Sequence, residues 1–130
     1  MSKTILHGSR FALGFIFLIA GINGYFVIFD LNPFIATSPE AMALFEFKYL
    51  LVFEKTIEII CGILLLINRF VPLALAILAP IIANILLLHV FLDHSLLPLA
   101  ITLSIMHGYM LFFYRDNFIK LLEKKAVPKN

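Results

Sequence analysis

Charged residues and cysteines are scarce in this chain. Of its 130 residues only 14% are Asp, Glu, Lys or Arg, whereas 62% are hydrophobic, and the mean hydropathy is +1.04. A soluble domain has about 25% charged and about 45–50% apolar residues, so much of this surface must face lipid. The single cysteine, Cys61, excludes an internal disulfide, a CxxC redox pair and a thiolate-rich metal site.

A basic stripe is also missing. The formal net charge is +2 and the pI is near 8.8, but the basic residues other than Lys55 lie toward the ends of the chain and of its apolar runs. Nucleic acid binding needs Lys and Arg gathered on one face. We therefore expect membrane lipid, and not nucleic acid, to be the main surroundings of this protein.

Four charge-poor runs predict transmembrane helices at about 8–29, 47–67, 71–92 and 96–118. Each run can cross a hydrocarbon core of about 30 Å at about 1.5 Å per residue. The first run is too long for the apolar part of a signal peptide and lacks an A-x-A site, so we expect it to be retained. The sequence predicts a single domain over 1–130, an all-α integral membrane four-helix bundle.

The distribution of Lys and Arg predicts the orientation of this bundle. We call the segments between successive runs the first, second and third links. Basic residues occur at the N-terminus, in the second link and in the C-terminal tail, whereas the first and third links contain only Lys48. By the positive-inside rule, both termini are cytoplasmic. In the first link, Ser38 followed by Pro39 and Glu40 predicts the start of a short helix, which would lie over the mouth of the bundle.

The second span contains three charged residues, Glu54, Lys55 and Glu58. Each costs up to about 3 kcal/mol at the centre of a bilayer, so we expect them to face the bundle interior. Their i,i+3 and i,i+4 spacings allow them to share one sector of the helix. Two carboxylates and one ammonium leave an excess negative charge, which predicts a titratable and catalytic site.

The other three spans contribute Asn23, Asn84, His89 and His107. With the orientation given above, the helical rise places all of them in the outer half of the membrane with the charged group. We therefore expect a polar pocket there, in which His107 is catalytic and the other three bind ligand. Structural interhelical hydrogen bonds are an equal alternative for His107 and the favoured one for the two asparagines, and His89 is expected to pair with Asp93.

Small residues at helical spacing predict which helix faces meet, because they allow membrane helices to approach closely. The predicted interior faces contain Gly14, Gly21 and Gly24 in the first span, Ala76, Ala79, Pro80 and Ala83 in the third, and Ala100, Ser104 and Gly108 in the fourth. Arg10 lies at the cytoplasmic border, where we expect its side chain to extend into the interface.

An ordered set of segments resembles the DoxX family of small four-helix membrane proteins. It comprises RFALGFIFLIAGING at 10–24, EKTIEIICGILLLINRFVPL at 54–73 and LAPIIANILLLHVFLD at 78–93. The resemblance implies a multi-pass protein of the bacterial inner membrane. Some members are small subunits of thiosulfate:quinone oxidoreductase, and others are tied to quinone detoxification or membrane redox assemblies. No residue role is carried over from the family.

The leading hypothesis is a redox-associated membrane protein that binds a quinone or quinol, or a similar small apolar ligand. Lys55 and His107 would hydrogen-bond the quinone oxygens, and Glu54 and Glu58 would exchange protons. The chain has no haem, flavin or iron–sulfur motif and no metal-ligand pattern, so electrons would come from a partner redox protein. Whether the chain is itself an enzyme is left open.

Two other functions fit the same residues. A non-enzymatic membrane subunit or chaperone could hold a partner protein through a polar network. A small transporter fits less well, because four short helices without broken repeats lack the usual design of transporters. A homo-oligomer or a hetero-complex is compatible with each hypothesis.

Overall fold

A computed structural model describes residues 3–44 and 46–129, and every regular element in these two ranges is a helix. The predicted all-α class is therefore confirmed for the described residues. The helices are α1 (Lys3–Ile28), α2 (Pro39–Leu44), α3 (Lys48–Leu66), α4 (Val71–Phe91), α5 (Leu97–Phe113) and α6 (Arg115–Ile119), with 3-10 turns at His94–Leu96 and Lys120–Leu122.

Three helical segments are long and apolar enough to span a membrane. They are Lys3–Ile28, Val71–Phe91 and His94–Phe113. The helix α3 has 19 residues and is long enough, but each of its 18-residue stretches includes Glu54, Lys55 and Glu58. The helix α3 is therefore not among the segments that qualify as spans by length and composition, and its predicted place in a membrane bundle stays a prediction.

The four long helices contact one another in a ring. The helix α1 packs against α3 and α5, and α4 also packs against α3 and α5. Their common core consists of large apolar side chains, among them Leu13, Phe17, Leu65, Leu75, Leu78, Leu103 and Met110. The helix α5 ends at Phe113, and a break at Tyr114 separates it from α6, so the predicted fourth span is not continuous to residue 118.

Glycines bring α1 and α3 into close contact. A Cβ atom at Gly62 would lie 2.8 Å from the carbonyl oxygen of Gly14 and from the backbone nitrogen of Leu18. A Cβ atom at Gly21 would lie 2.5 Å from Cγ1 of Ile59. Side chains of any size would therefore force the two backbones apart, and the predicted interior face of α1 is confirmed.

Part of the predicted small-residue faces of α4 and α5 is wrong. Ala76, Ala83 and Gly108 are exposed, and a Cβ atom at Gly108 would meet nothing within 4 Å. The helix α4 instead buries Leu75 and Leu78, among others. Small residues mark a close approach where the opposing helix is also small, as between α1 and α3, whereas α4 packs through larger side chains.

Arg10 does not extend into the interface, so that expectation is also wrong. The residue is only 5% exposed. Its Nη1 atom donates to the carbonyl oxygen of Leu65 and, at 3.3 Å, to that of Leu66. The last carbonyls of a helix lack intrahelical donors and carry partial negative charge, so a cation at the end of α3 is stabilised there.

Candidate functional site

A cavity of about 420 Å³ lies between α1, α4 and α5, with residues of α3 and of the first link also in its wall. Its lining is mostly aliphatic and aromatic, with Ile19, Ile85 and Leu103 from three different helices. We call this space the inner cavity. Four of the seven predicted site residues line it, namely Asn23, Lys55, Glu58 and His89.

The charged residues of the inner cavity form an ion pair. Lys55 Nζ lies 3.1 Å from Glu58 Oε2, and the two side chains are 15% and 2% exposed. The stem of Lys55 runs along Gly24, where a Cβ atom would collide with Cγ, Cδ and Cε of the lysine. The glycine therefore provides the space that lets an ammonium group from α3 reach the cavity. Burial removes water from both charged groups, so each of them is stabilised mainly by its contact with the other.

Glu54 lies on the other flank of α3. It lines a groove of about 410 Å³ between α3 and α4, together with Asn84. Successive residues of an α-helix are about 100° apart, so Glu54 and Lys55 fall on opposite sides of Glu58. The predicted three-residue sector is thus divided between two spaces, although Glu54 still interacts electrostatically with Lys55 and Glu58.

Asn23 holds the first link across the inner cavity. Its Nδ2 atom donates to the carbonyl oxygen of Ile35 at 3.2 Å, and the backbone nitrogen of Ile35 donates to its Oδ1 atom at 3.0 Å. The next residues of the link, Ala36, Thr37 and Ser38, line the cavity. The amide therefore has a structural role, but its partner is the backbone of the link and not another helix, so the predicted interhelical hydrogen bond is wrong for Asn23.

The start of α2 follows the sequence prediction. The helix begins at Pro39, and the backbone nitrogen of Ala41 donates to Ser38 Oγ at 3.3 Å, as an N-cap side chain requires. Ala41 and Met42 of this helix line the inner cavity. The link thus covers one end of the cavity with a capped helical turn.

His89 is buried at the end of α4 and lines the inner cavity. Its Nδ1 atom lies 2.7 Å from the backbone carbonyl oxygen of Asp93. Since a carbonyl oxygen only accepts, Nδ1 carries a proton, and Nε2 is the ring nitrogen that remains for a ligand. The predicted partnership of His89 with Asp93 is present, but through the backbone of the aspartate.

The carboxylate of Asp93 is bound by the residues that follow it. Ser95 donates to Asp93 Oδ1 from its backbone nitrogen at 3.0 Å and from its hydroxyl group at 2.6 Å. These hydrogen bonds, with the Ser38 hydroxyl group of the first link nearby, lower the pKa of Asp93 to about 2. The ionised carboxylate therefore stabilises the turn between α4 and α5.

His107 and Asn84 do not line the inner cavity. His107 is buried, with Nε2 at 2.8 Å from the carbonyl oxygen of Leu75, so it connects α5 to α4. Asn84 is exposed and lines the groove between α3 and α4. The expected single layer of polar residues is therefore only partly present, because helical rise sets the depth of a residue and leaves its direction to the packing.

Sequence reasoning missed one pair of polar side chains that connects the helices beside the site. The hydroxyl groups of Tyr25 and Thr56 are 2.5 Å apart and connect α1 to α3. The available signal was weak, since Thr56 is a neighbour of the charged group in sequence and Tyr25 follows the glycine stripe. Among residues 3–44 and 46–129, no three His, Cys, Asp or Glu side chains lie close enough together to hold a metal ion.

Comparison of the chain with models of known protein families, with curated proteins and with solved structures finds no match. The inner cavity has a mostly apolar wall with one ammonium, one carboxyl group and one imidazole. Ligand pockets in proteins commonly combine an apolar wall with a few polar groups in this way.

Proposed function

We propose that this chain is a redox-associated membrane protein that binds a quinone or quinol, or a similar small apolar ligand, in the inner cavity. In this proposal α1, α3, α4 and α5 form a transmembrane four-helix bundle with both termini in the cytoplasm. The protein lies in the bacterial inner membrane, as its resemblance to the DoxX family implies. The inner cavity then opens in the outer half of the bilayer.

One observation carries the proposal: a buried ammonium–carboxylate pair in the wall of an otherwise apolar cavity of about 420 Å³. Ligand pockets have volumes of about 300–1,000 Å³, are mostly apolar and contain a few convergent polar groups. A quinone ring has two carbonyl oxygens on a flat apolar body, which matches that arrangement. Ionisable residues inside a membrane are expensive and mark functional sites by default.

The cavity residues have distinct roles in this proposal. Lys55 donates a hydrogen bond from its ammonium group to one oxygen of the ligand. Because Nδ1 of His89 carries the proton that it donates to Asp93, Nε2 is an acceptor, and it accepts a hydrogen bond from the second hydroxyl group of the quinol. Glu58 exchanges protons with the ligand through its contact with Lys55. His89 takes the place expected for His107, whose Nε2 atom is occupied by Leu75. Oxidation of the quinol to the quinone releases two electrons and two protons: a partner redox protein takes the electrons, Nε2 of His89 takes one proton, and Glu58 takes the other through Lys55. Reduction of the quinone is the reverse of this step, with the electrons supplied by the partner.

The ligand enters from the bilayer. Phe15 on α1 and Leu99 on α5 line the cavity, and they are 59% and 43% exposed. These two side chains therefore form a rim that faces outward between α1 and α5, whereas the first link covers the end of the cavity. An apolar ligand dissolved among lipid tails reaches such a rim without crossing water.

Quinone content tests the proposal. The protein is purified in nanodiscs from quinone-containing membranes, and bound quinone is extracted and quantified by mass spectrometry. We expect Lys55→Met to lower the bound quinone about tenfold or more, since a charge-assisted hydrogen bond contributes about 1.5–3 kcal/mol. Lys48→Met, which removes an exposed ammonium at the start of the same helix, should have no effect.

A cavity-filling variant gives a second readout. Leu99→Trp should exclude the ligand, whereas Leu73→Trp adds the same bulk at an exposed position of α4 and should leave the ligand bound. Wild-type protein without quinone, or equal quinone in all variants, would contradict the proposal. If Lys55→Met keeps its ligand but loses a co-purified protein, the function is that of a non-enzymatic membrane subunit or chaperone.

A further inference from the structure

A second polar feature lies outside the inner cavity, on the groove between α3 and α4. Its polar members are Glu54 and Asn84, and its apolar wall includes Phe53 and Ile77. Asn84 is exposed, and its amide has no hydrogen-bond partner among the residues that the structure describes. We call this surface the α3–α4 groove.

In the topology proposed above, the α3–α4 groove faces hydrocarbon. The Glu54 carboxyl group shares a hydrogen bond with Glu58 of its own helix. Lipid tails have no hydrogen-bond donors or acceptors, so the exposed amide of Asn84 remains unsatisfied there unless protein covers it. The groove differs in this respect from the inner cavity, where the first link and the ion pair satisfy the polar groups. The groove therefore requires a partner with polar groups at the same depth.

We propose that a second copy of this chain covers the α3–α4 groove and forms a two-fold symmetric dimer. All copies of a membrane protein insert with the same orientation, so the two-fold axis lies along the membrane normal. Each residue of one copy then lies at the same depth in the membrane as the same residue of the other copy. Glu54 lies six residues after the start of α3 and Asn84 seven before the end of α4, which places them at about 9 Å and about 10.5 Å from the same side.

Because Glu54 and Asn84 lie at nearly equal depth, the groove of one copy can pair with the same groove of a second copy. The Asn84 amide of one copy can donate to the Glu54 carboxyl group of the other, and the symmetry repeats this contact. Amide and carboxyl groups form interhelical hydrogen bonds readily in membranes. A single chain thus supplies both halves of the polar contact, as a dimer of identical chains requires.

The shape of α4 fits the same partner. Ala76, Pro80 and Ala83 are exposed next to Asn84, and their small side chains allow a second backbone to approach closely. Glycines of α1 that serve this purpose already have α3 as their partner. Among the residues that the structure describes, no helix covers this face of small side chains on α4. In the dimer, the face contacts the same face of the second copy.

Cysteine cross-linking in native membranes tests this dimer. In a Cys61→Ser background, Ala83→Cys should give a disulfide-linked dimer upon mild oxidation. Ile105→Cys provides the control, because residue 105 is 66% exposed, lies on α5, and is at about 12 Å by the same helical rise. Cross-linking at position 83 that is no greater than at position 105 would overturn the proposal.

A second measurement counts chains in lipid vesicles by single-molecule photobleaching. Asn84→Leu should lower the dimer fraction about tenfold at a fixed protein-to-lipid ratio, and Asn84→Gln should retain most of it. A monomeric wild-type protein, or an unchanged dimer in Asn84→Leu, would overturn the dimer. This inference uses the topology of the proposed function but not its ligand, so bound quinone in Asn84→Leu should equal that of the wild type.

Discussion

The two flanks of α3 differ in how the protein treats polar groups. On the α1 flank, glycines bring two helices together, Lys55 pairs with Glu58, and the first link covers the inner cavity. On the α4 flank, a groove of similar volume contains Glu54 and Asn84 without such a cover. A covered space with partnered ions suits a small ligand, and an uncovered one suits another protein chain. Volume alone would not distinguish them.

The largest expected effect comes from breaking the α1 flank. Gly62→Ala should destabilise the protein by about 1–3 kcal/mol, because its Cβ atom would lie 2.8 Å from two backbone atoms of α1. Gly108→Ala is the matched control, since nothing lies within 4 Å of its Cβ position. Thermal unfolding in detergent, followed by circular dichroism, should show the difference. Equal midpoints for the two variants would contradict close packing of α1 on α3.

The two glutamates provide the sharpest comparison of the flanks. Glu58→Gln should lower bound quinone about fivefold or more, because the carboxyl group in the inner cavity loses its charge and its strong contact with Lys55. Glu54→Gln changes the neighbouring α3–α4 groove and should alter bound quinone less than twofold. Mass spectrometry of extracted quinone measures both. Equal losses would show that the three charged residues act as one site.

Removing the cover of the inner cavity should have an intermediate effect. Asn23→Leu deletes both hydrogen bonds to Ile35, which are worth about 1 kcal/mol each. We therefore expect residues 35–42 to exchange amide hydrogen about tenfold faster, and the ligand to dissociate faster. Asn117→Leu, on the exposed surface of α6, serves as control. Unchanged exchange in the first link would exclude its role as a cover.

The smallest effect is a pH dependence at Asp93. Because its pKa is lowered to about 2, the ionised form stabilises the folded turn between α4 and α5 above the ordinary pKa of an aspartate. This stabilisation is lost as the pH falls through about 4 to about 2. Thermal midpoints of the wild type should approach those of Asp93→Asn over that range and differ constantly at pH 5–7. A difference that is undiminished at pH 2 would contradict this role.

The sequence predicted the long helices and one helix interface better than the directions of the polar side chains. Charge scarcity and run length predicted the long helices, and the glycines predicted the α1 interface, because both depend on properties that each residue carries by itself. The sequence also singled out Lys55, Glu58 and His89, and all three line the inner cavity. The depth of these residues in a membrane stays a prediction.

The direction of His107 and Asn84 could not be predicted in the same way. His107 finds an acceptor on a neighbouring helix, the Leu75 carbonyl oxygen, and the choice depends on how α4 and α5 pack. Likewise, the two hydrogen bonds between the Asn23 side chain and the Ile35 backbone join residues that are 12 positions apart in the sequence. Such contacts result from tertiary packing, which a helical period does not specify.

An experimental density map of the wild-type protein, purified from native membranes into nanodiscs, would show whether the inner cavity holds a quinone. We expect a flat, ring-shaped density in the inner cavity, within hydrogen-bonding distance of Lys55 Nζ. A cavity that is empty, or filled by a lipid tail with the Lys55–Glu58 pair undisturbed, would contradict the proposed function.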